Sequence, residues 1–195
     1  MMRTSVDSQE SDQTLSQEGA RGPIRKPIAI TMGDPAGIGP EIILRALARA
    51  PETGLEGPFV VYGCPGWMEA VARRLGLNTG LLEVVPVTEV PEDLPVGQVS
   101  AAGGEAAFQA VYRAAQDAMA GKVRAVVTAP LSKAAMNLAG HVYPGHTEIL
   151  AEVGGNVPVR MMLANEELRT VLVSIHVPLG VAVSSLSTAG IVETI

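Results

Sequence analysis

Short apolar runs alternate with amphipathic segments along most of this chain, and the alternation predicts a layered α/β structure. Each apolar run is bounded by glycine, proline or polar residues, which is typical of buried strands in a parallel sheet. These predicted strands occupy residues 27–32, 59–62, 82–87 and 123–127. Apolar residues recur at helical spacing between the strands, and the predicted helices occupy residues 40–50, 65–75 and 105–120. We therefore expect a doubly wound α/β sheet.

The helix predicted over 105–120 has the most regular apolar face of the chain, and Gly121 ends it. The residues of this face, which we expect to lie in the core, are Ala107, Ala110, Val111, Ala114, Ala118 and Met119. Two shorter helices are predicted beyond it. The first covers 131–138 with Ser132 as a candidate N-cap, and the second covers 148–153.

The last forty residues predict a different arrangement. Apolar strands over 160–164 and 170–176 flank the polar residues 165–167, and this pattern favours an antiparallel hairpin. An amphipathic segment follows from Val181 to Ile195.

A dense group of polar side chains follows the strand predicted at 123–127. Thr128-Ala-Pro130 ends the strand, because proline cannot donate a hydrogen bond to a sheet. Ligands bind beyond the carboxyl ends of strands in open α/β sheets, so we favour a site for an anionic substrate here. The polar residues are Ser132, Lys133, Asn137, His141, His146, Thr147 and Glu148. The alternative for each residue alone is a polar loop with a helix cap.

A glycine-rich turn, residues 33–41, joins the first predicted strand to the first predicted helix. It matches neither the dinucleotide-binding glycine pattern nor the phosphate-loop pattern, which would need Gly-Lys-Ser/Thr. Its three glycines could contact an anion, or could serve only left-handed backbone and close helix packing. Asp34 is a candidate site carboxylate at a strand end, and its alternative role is to form the turn before Pro35.

Composition and charge narrow the classes of protein. Of the 195 residues 47% are hydrophobic, 17% charged and only 3% aromatic, which favours α/β layers over an aromatic-rich β-sandwich. The net charge of −6 gives no electrostatic support to nucleic-acid binding. A compact anionic substrate stays possible, because its binding depends on local charge.

The chain contains features of a cytoplasmic protein. Cys64 is its single cysteine, so no disulfide forms within it. No apolar run approaches the roughly 20 residues of a membrane span. The first 25 residues are rich in Ser, Gln, Glu and Asp, and we expect a disordered leader there.

The three histidines give no metal motif by their spacing. None forms an i, i+4 pair, so no helical metalloprotease motif exists. His176 ends an apolar strand before Pro178 and, taken alone, could be a structural histidine or a ligand. His146 lies between Gly145 and Thr147, where little bulk shields the imidazole. Lys133 could hold a phosphate as a point charge, or could be a solvated helix residue.

Four motifs in order resemble one enzyme family. They are ITMGDPAGIGPEI at 30–42, VTAPLSK at 127–133, GHTE at 145–148, and MML at 161–163 through IHVP at 175–178. Together they resemble the 4-hydroxythreonine-4-phosphate dehydrogenase (PdxA) family of pyridoxal phosphate biosynthesis, from about Lys26 to the end of the chain.

The resemblance implies a fold and a chemistry. The fold would be the layered α/β fold of isocitrate and isopropylmalate dehydrogenases, in a homodimer. The reaction would oxidise a small phosphorylated hydroxy acid with NAD or NADP, followed by decarboxylation, with a divalent metal (Zn, Mg or Co) held by three histidines. By this resemblance His146 and Thr147 contact the substrate and His176 is a metal ligand. Asp34, Lys133 and His141 are weaker site candidates.

The chain departs from this family in two ways. It resembles only the N-terminal portion, residues 26–195 here, and one metal histidine does not complete a three-histidine site. We therefore expect the chain alone to be inactive. The His141–Tyr143 pair before His146 is similar to a sister subgroup that acts on 4-phospho-D-threonate or D-erythronate, and we favour the biosynthetic substrate over it. Two further alternatives are an inactive binding or dimerising domain and a phosphate acyltransferase of related fold.

Overall fold

The computed structural model describes residues 25–78, 82–175 and 177–195, so the predicted leader lies outside it except for Arg25. A four-stranded parallel sheet organises the first two thirds of the chain. Its strands are β1 (Ile28–Thr31), β2 (Phe59–Gly63), β3 (Val84–Pro86) and β4 (Ala125–Thr128). They lie in the order β3-β2-β1-β4, and β1 pairs with both β2 and β4. The prediction of an α/β fold with a parallel sheet is confirmed.

Helices connect the strands and continue beyond them. Those of the sheet and its surroundings are α1 (Gly39–Ala48), α2 (Ala50–Thr53), α3 (Pro65–Leu75), α4 (Ala101–Met119), α5 (Lys133–Leu138) and α6 (His146–Val153). A hairpin of β5 (Met162–Ala164) and β6 (Arg169–Val171) follows, and then α7 (Leu179–Ser185) and α8 (Thr188–Thr194). No helix in the described ranges is long and apolar enough to cross a membrane.

The core has layers on both faces of the sheet, as parallel strands require. Buried residues from α1 and α3 pack on one face, and they include Ile43, Leu44, Met68 and Val71. Buried residues of α4 pack on the other face, where Ala110 and Ala114 contact Ala29, Val60 and Tyr62. A third cluster joins α4 to α5 and α6 through Phe108, Val111, Met136 and Ile149. Helix α4 is therefore shared between the sheet and the two helices that follow β4.

The close approach of α5 to α4 depends on a glycine. A Cβ on Gly104 would collide with the carbonyl oxygen of Ala135, which is backbone and cannot yield. Helix α4 begins at Ala101, four residues earlier than predicted, because the Ser100 hydroxyl accepts a hydrogen bond of 3.1 Å from the Gly103 amide. The predicted N-cap of α5 is confirmed, since the Ser132 hydroxyl accepts from the Ala135 amide at 3.2 Å.

Two predictions about burial are wrong. The run at 123–127 was expected to be a buried strand, but β4 is an edge strand and Val127 is 52% exposed. Only one neighbour, β1, pairs with it in the part of the chain that the structure describes. Met119, assigned to the core face of α4, lies at the helix end and is also exposed.

The chain falls into two parts by burial. We call residues 25–153 the sheet region and residues 154–195 the C-terminal region. No described residue of the C-terminal region is buried, although the predicted hairpin is confirmed there. The strand predicted over 170–176 is shorter than expected: β6 ends at Val171. The single amphipathic segment predicted over 181–195 is two helices, because the backbone is extended at Leu186 between α7 and α8.

Candidate functional site

The glycine-rich turn after β1 meets the segment after β4 through the backbone. The Asp34 amide donates a 3.0 Å hydrogen bond to the Pro130 carbonyl, and the Ala129 amide donates one of 3.3 Å to the Thr31 carbonyl. Gly33 has a φ of 71°, and a Cβ there would collide with the Pro130 oxygen. Two of the four sequence motifs therefore meet at the carboxyl ends of β1 and β4.

The strand order reverses between β1 and β4. From β1 the chain proceeds to β2 and β3 on one side, and β4 then pairs on the other side of β1. Connections leave the sheet in opposite directions there, which opens a crevice beyond the carboxyl ends of β1 and β4. The predicted position of the site, beyond the end of the fourth strand, coincides with this switch point.

His146 is the first residue of α6, and its imidazole lies against this crevice. The ring makes a hydrogen bond with the Ala129 backbone, just beyond β4. Burial lowers the pKa of His146 below its ordinary value, and the hydrogen bond with Ala129 opposes this only in part. The Nε2 atom is buried and has no hydrogen-bond partner among the described residues. His146 is thus a neutral imidazole at pH 7 with an unused polar atom.

The first turn of α6 includes Thr147 and Glu148, and Lys133 lies close to its N-terminus. A Cβ on Gly145, the residue before the helix, would lie 3.7 Å from Glu148 Oε2 and 3.9 Å from Lys133 Cε. No side chain caps this helix, so the amides of its first turn lack a side-chain acceptor. Uncapped helix amides together with a lysine favour an anion. Glu148 in the same turn restricts where that anion can lie.

Asp34 is buried at the carboxyl end of β1, where it has a structural role. Its Oδ1 accepts a 2.9 Å hydrogen bond from the Ala36 amide, and its backbone carbonyl accepts one of 3.0 Å from Gly37. These contacts support the turn-forming alternative for Asp34. The side chain also adjoins the start of α4, where a Cβ on Gly103 would lie 2.7 Å from Oδ1.

The turn's glycines likewise have packing roles. Gly33 is left-handed, and a Cβ on Gly39 would collide with the Met32 carbonyl oxygen, so α1 begins directly over the end of β1. The second of the two alternatives for this turn, left-handed backbone and close packing, therefore accounts for both glycines.

His141 is not joined to His146 by any described contact. Its Nε2 lies 2.6 Å from Glu105 Oε2, and its ring stacks on Phe108 with a centroid distance of 3.7 Å. Both partners belong to α4. The structure thus places the side chain of this weaker candidate against α4, the helix that also packs against α5 and α6.

The predicted metal ligand, His176, lies outside the described residues. Within the described ranges no three or more His, Cys, Asp or Glu side chains come together as a metal site would require. His146 is held at Ala129 and His141 at Glu105, so neither begins such a set.

Thr31, at the carboxyl end of β1, was not among the residues predicted for the site. Thr31 ends β1 fully buried, and its hydroxyl has no hydrogen-bond partner in the described part of the chain. It faces the same side of the sheet as Ala29, which packs against α4. The signal was available, because Thr31 is the one polar residue of β1, and it directly precedes the glycine-rich turn.

Two pockets lie elsewhere in the described part of the chain. One of about 410 Å³ has an apolar lining that includes Leu44, Phe59 and Leu82. The other, of about 490 Å³, lies beside Cys64 and Trp67 beyond the end of β2. Neither contains a histidine, so we regard the switch-point crevice as the candidate site.

Comparison with known proteins finds one matching family model and several similar relatives. A family model described as pyridoxal phosphate biosynthetic protein PdxA matches residues 42–195. The chain is 44% identical to a 4-hydroxythreonine-4-phosphate dehydrogenase of Beijerinckia indica, over 80% of this chain and 50% of the relative. It is 42% identical to a D-threonate 4-phosphate dehydrogenase of Salmonella typhimurium, over 87% of this chain and 56% of the relative.

A solved structure has a similar backbone. The crystal structure of a 4-hydroxythreonine-4-phosphate dehydrogenase from Burkholderia phymatum matches with a TM-score of 0.78 and 35% identity. The match covers 86% of this chain and 56% of that one. The chain therefore spans about half the length of the relatives it matches.

Proposed function

Because this chain belongs to the PdxA family, we propose that it takes part in the NAD(P)-dependent oxidation of a small phosphorylated hydroxy acid. The observation that carries the proposal is the position of His146 and Thr147 at the uncapped start of α6, beside the carboxyl ends of β1 and β4. The family resemblance had assigned these two residues to substrate contact.

In the proposed reaction a hydride leaves the carbon that bears the substrate hydroxyl and reduces the nicotinamide ring. The hydroxyl proton is released, and the resulting 3-keto acid then loses carbon dioxide. The first candidate substrate is 4-phosphooxy-L-threonine, in vitamin B6 biosynthesis. The second is 4-phospho-D-threonate or D-erythronate, favoured by the His141–Tyr143 pair and by the name of the Salmonella relative.

The described residues would bind the substrate through its anionic group and its hydroxyl. A phosphate or carboxylate suits the first-turn amides of α6 together with the Lys133 ammonium. Neutral His146 presents a buried Nε2 without a partner, and because the other ring nitrogen donates to the Ala129 carbonyl, this Nε2 could accept a hydrogen bond from a substrate hydroxyl. Thr147 adds a hydroxyl that can donate or accept.

Metal binding is not part of this proposal. The described residues form no complete set of ligands, so no step is assigned to a metal. The assignment of His176 as a metal ligand, the homodimer and the isocitrate dehydrogenase-like arrangement of the whole enzyme stay predictions from the family resemblance.

Calorimetric binding of the two phosphorylated acids tests the proposal. Replacing Lys133 with alanine removes one charge-assisted contact, so we expect binding to weaken about tenfold to a hundredfold. Lys26→Ala is the matched control, because Lys26 is an exposed lysine before β1, at the opposite end of the strands. It should leave the affinity unchanged. Loss of binding in both variants, or in neither, would contradict the proposed site.

A second measurement separates an enzyme from a binding domain. The purified chain is incubated with each acid, NAD or NADP, and Zn²⁺, and formation of the reduced nicotinamide is followed. Binding with turnover supports the dehydrogenase directly. Binding without turnover supports the substrate site and leaves the alternative of a binding domain as the better description of this chain.

A further inference from the structure

The loop between α5 and α6 leads directly to His146, and side chains of this loop pack against α4. Residues 139–145 have no regular structure, and α6 begins directly after them. The backbone amide of His141 donates a 2.9 Å hydrogen bond to the Met136 carbonyl, which closes the end of α5. The position of His146 therefore depends on how the intervening residues are fixed.

The side chain of His141 lies flat against α4. Its ring is nearly parallel to that of Phe108, at 11°, with 3.7 Å between the centroids. Its Nε2 lies 2.6 Å from Glu105 Oε2, and Glu105 is one helical turn before Phe108. A carboxylate only accepts hydrogen bonds, so Nε2 is the protonated nitrogen. The pKa of Glu105 is lowered mainly by the hydrogen bond from Gln109 and then by the hydrogen bond from His141. Glu105 therefore stays ionised.

Tyr143 fixes the same loop on its other side. Its ring packs 5.7 Å from that of Phe108, and its hydroxyl donates a 2.8 Å hydrogen bond to Glu152 in α6. Val142, between the two anchored residues, is 80% exposed. The loop thus alternates inward and outward, and in the described structure His141 makes its one side-chain hydrogen bond with α4.

We propose that His141 is a positioning residue, which holds the loop against Glu105 and Phe108 so that His146 and Thr147 meet the substrate at the carboxyl ends of β1 and β4. The stack on Phe108 fixes the plane of the ring, and the charge-assisted bond to Glu105 fixes its rotation. A binding group must be held within fractions of an ångström by its supporting contacts. The effect on substrate rests on the proposed function, whereas the effect on His146 does not.

Two substitutions of His141 separate the stack from the hydrogen bond. His141→Phe keeps an aromatic ring on Phe108 and removes the donor to Glu105. His141→Gln places an amide donor near the position of Nε2 and removes the ring. We expect His141→Phe to weaken binding of the phosphorylated acids about tenfold, and His141→Gln to recover most of that loss. A general loss of packing would instead make His141→Gln the worse of the two.

The imidazole signals of the chain give a readout that needs no substrate. Three histidines give three separable side-chain signals in a proton–carbon NMR spectrum. His141→Phe should shift or broaden the His146 signal, with a thermal unfolding midpoint close to that of the parent. Glu105→Ala removes the same hydrogen bond from the α4 side and should reproduce the change, so it replaces His141→Phe if that variant does not fold.

Gln109→Ala is the matched control. Gln109 donates a 2.8 Å hydrogen bond to Glu105 Oε1, so its loss removes the other partner of the same carboxylate without touching the loop. It should leave the His146 signal and the affinity unchanged. An unchanged His146 signal in both His141→Phe and Glu105→Ala would overturn the proposal. If the parent binds neither acid, the proposed function fails, and the His146 signal still decides whether His141 positions the loop.

Discussion

The sheet region and the C-terminal region are both rich in apolar residues, but only the sheet region has a core. Met136 in α5 is 0% exposed, whereas Met162 in β5 is 56% exposed. Both residues lie in predicted elements that the structure confirms. The difference lies in what packs against each element.

The sheet region buries its apolar residues because its elements form layers. β1 and β2 have helices on both faces, and α4 packs against the sheet on one side and against α5 and α6 on another. The hairpin β5–β6 has two strands and no buried residue, and two-stranded hairpins alone are marginally stable. The hydrophobic pattern therefore predicts that a helix or strand forms, but it does not determine whether another element packs against it.

The candidate site follows the same division. Lys133, His146 and Thr147 lie in the sheet region, on helices packed against α4. A rigid support of this kind suits side chains that must be placed accurately. The substrate contacts assigned to His146 and Thr147 by resemblance stay a proposal, and the metal ligand His176 stays a prediction.

Hydrogen exchange should show the largest difference between the two regions. Amides of β1 and α4 should exchange only on global unfolding, and those of β6 and α8 by local opening. We expect protection to differ by at least about a thousandfold, because buried apolar contacts support only the first pair. Mass spectrometry of fragments after exchange measures this. Equal protection in both regions would mean that the C-terminal region is part of the same cooperative unit.

The same substitution in both regions should have unequal effects on stability. Met136→Ala removes a buried side chain from the cluster of α4, α5 and α6, and should cost about 2–5 kcal/mol in the free energy of unfolding. Met162→Ala should change it by less than about 0.5 kcal/mol, because the side chain is exposed. Denaturant unfolding measures both. A large effect at Met162 would show that β5 packs against something in solution.

Ion pairs of the two regions should differ in the same direction, with a smaller effect on stability. Asp117 in α4 is buried and accepts hydrogen bonds from Tyr62 at 3.0 Å, Arg113 at 3.2 Å and Lys122 at 2.9 Å. Asp117→Asn should cost about 1–3 kcal/mol at neutral pH, because it weakens three bonds to one charged group. Glu193→Gln, in the exposed pair with Arg160 at 3.6 Å, should cost less than about 0.5 kcal/mol.

The pH dependence of this effect follows from the direction of the pKa shift. Burial alone would raise the pKa of Asp117, but hydrogen bonds from Lys122, Tyr62 and Arg113 together outweigh it and lower the pKa. The stabilisation is therefore complete above the unfolded pKa of about 3.9 and is lost as the pH falls through the lower folded value. Unfolding of the parent and of Asp117→Asn across acid pH should converge. A constant difference down to the lowest pH would contradict this account.

The same contact raises the pKa of Tyr62 to about 12, with burial as the first cause and Asp117 as the second. Tyr62 therefore keeps its proton throughout the range of these measurements, and its hydroxyl remains a donor to Asp117.

Much of the sheet region could be predicted from sequence alone. Strand and helix positions followed from hydrophobic periodicity, and the N-cap of α5 from the serine at its start. The motifs placed His146 and Thr147 at a strand end, because local chemistry and the order of elements are written in the sequence. These properties depend on neighbouring residues along the chain.

Tertiary structure decided what depends on distant residues. Val127 is exposed because it lies on the face of β4 opposite to Val126, which packs with the α4 cluster. His141 packs on α4 because Glu105 and Phe108 of that helix face it. Thr31 has a buried hydroxyl without a described partner because α4 covers its side of the sheet. Burial and pairing between elements are set by packing across tens of residues, which no local pattern specifies.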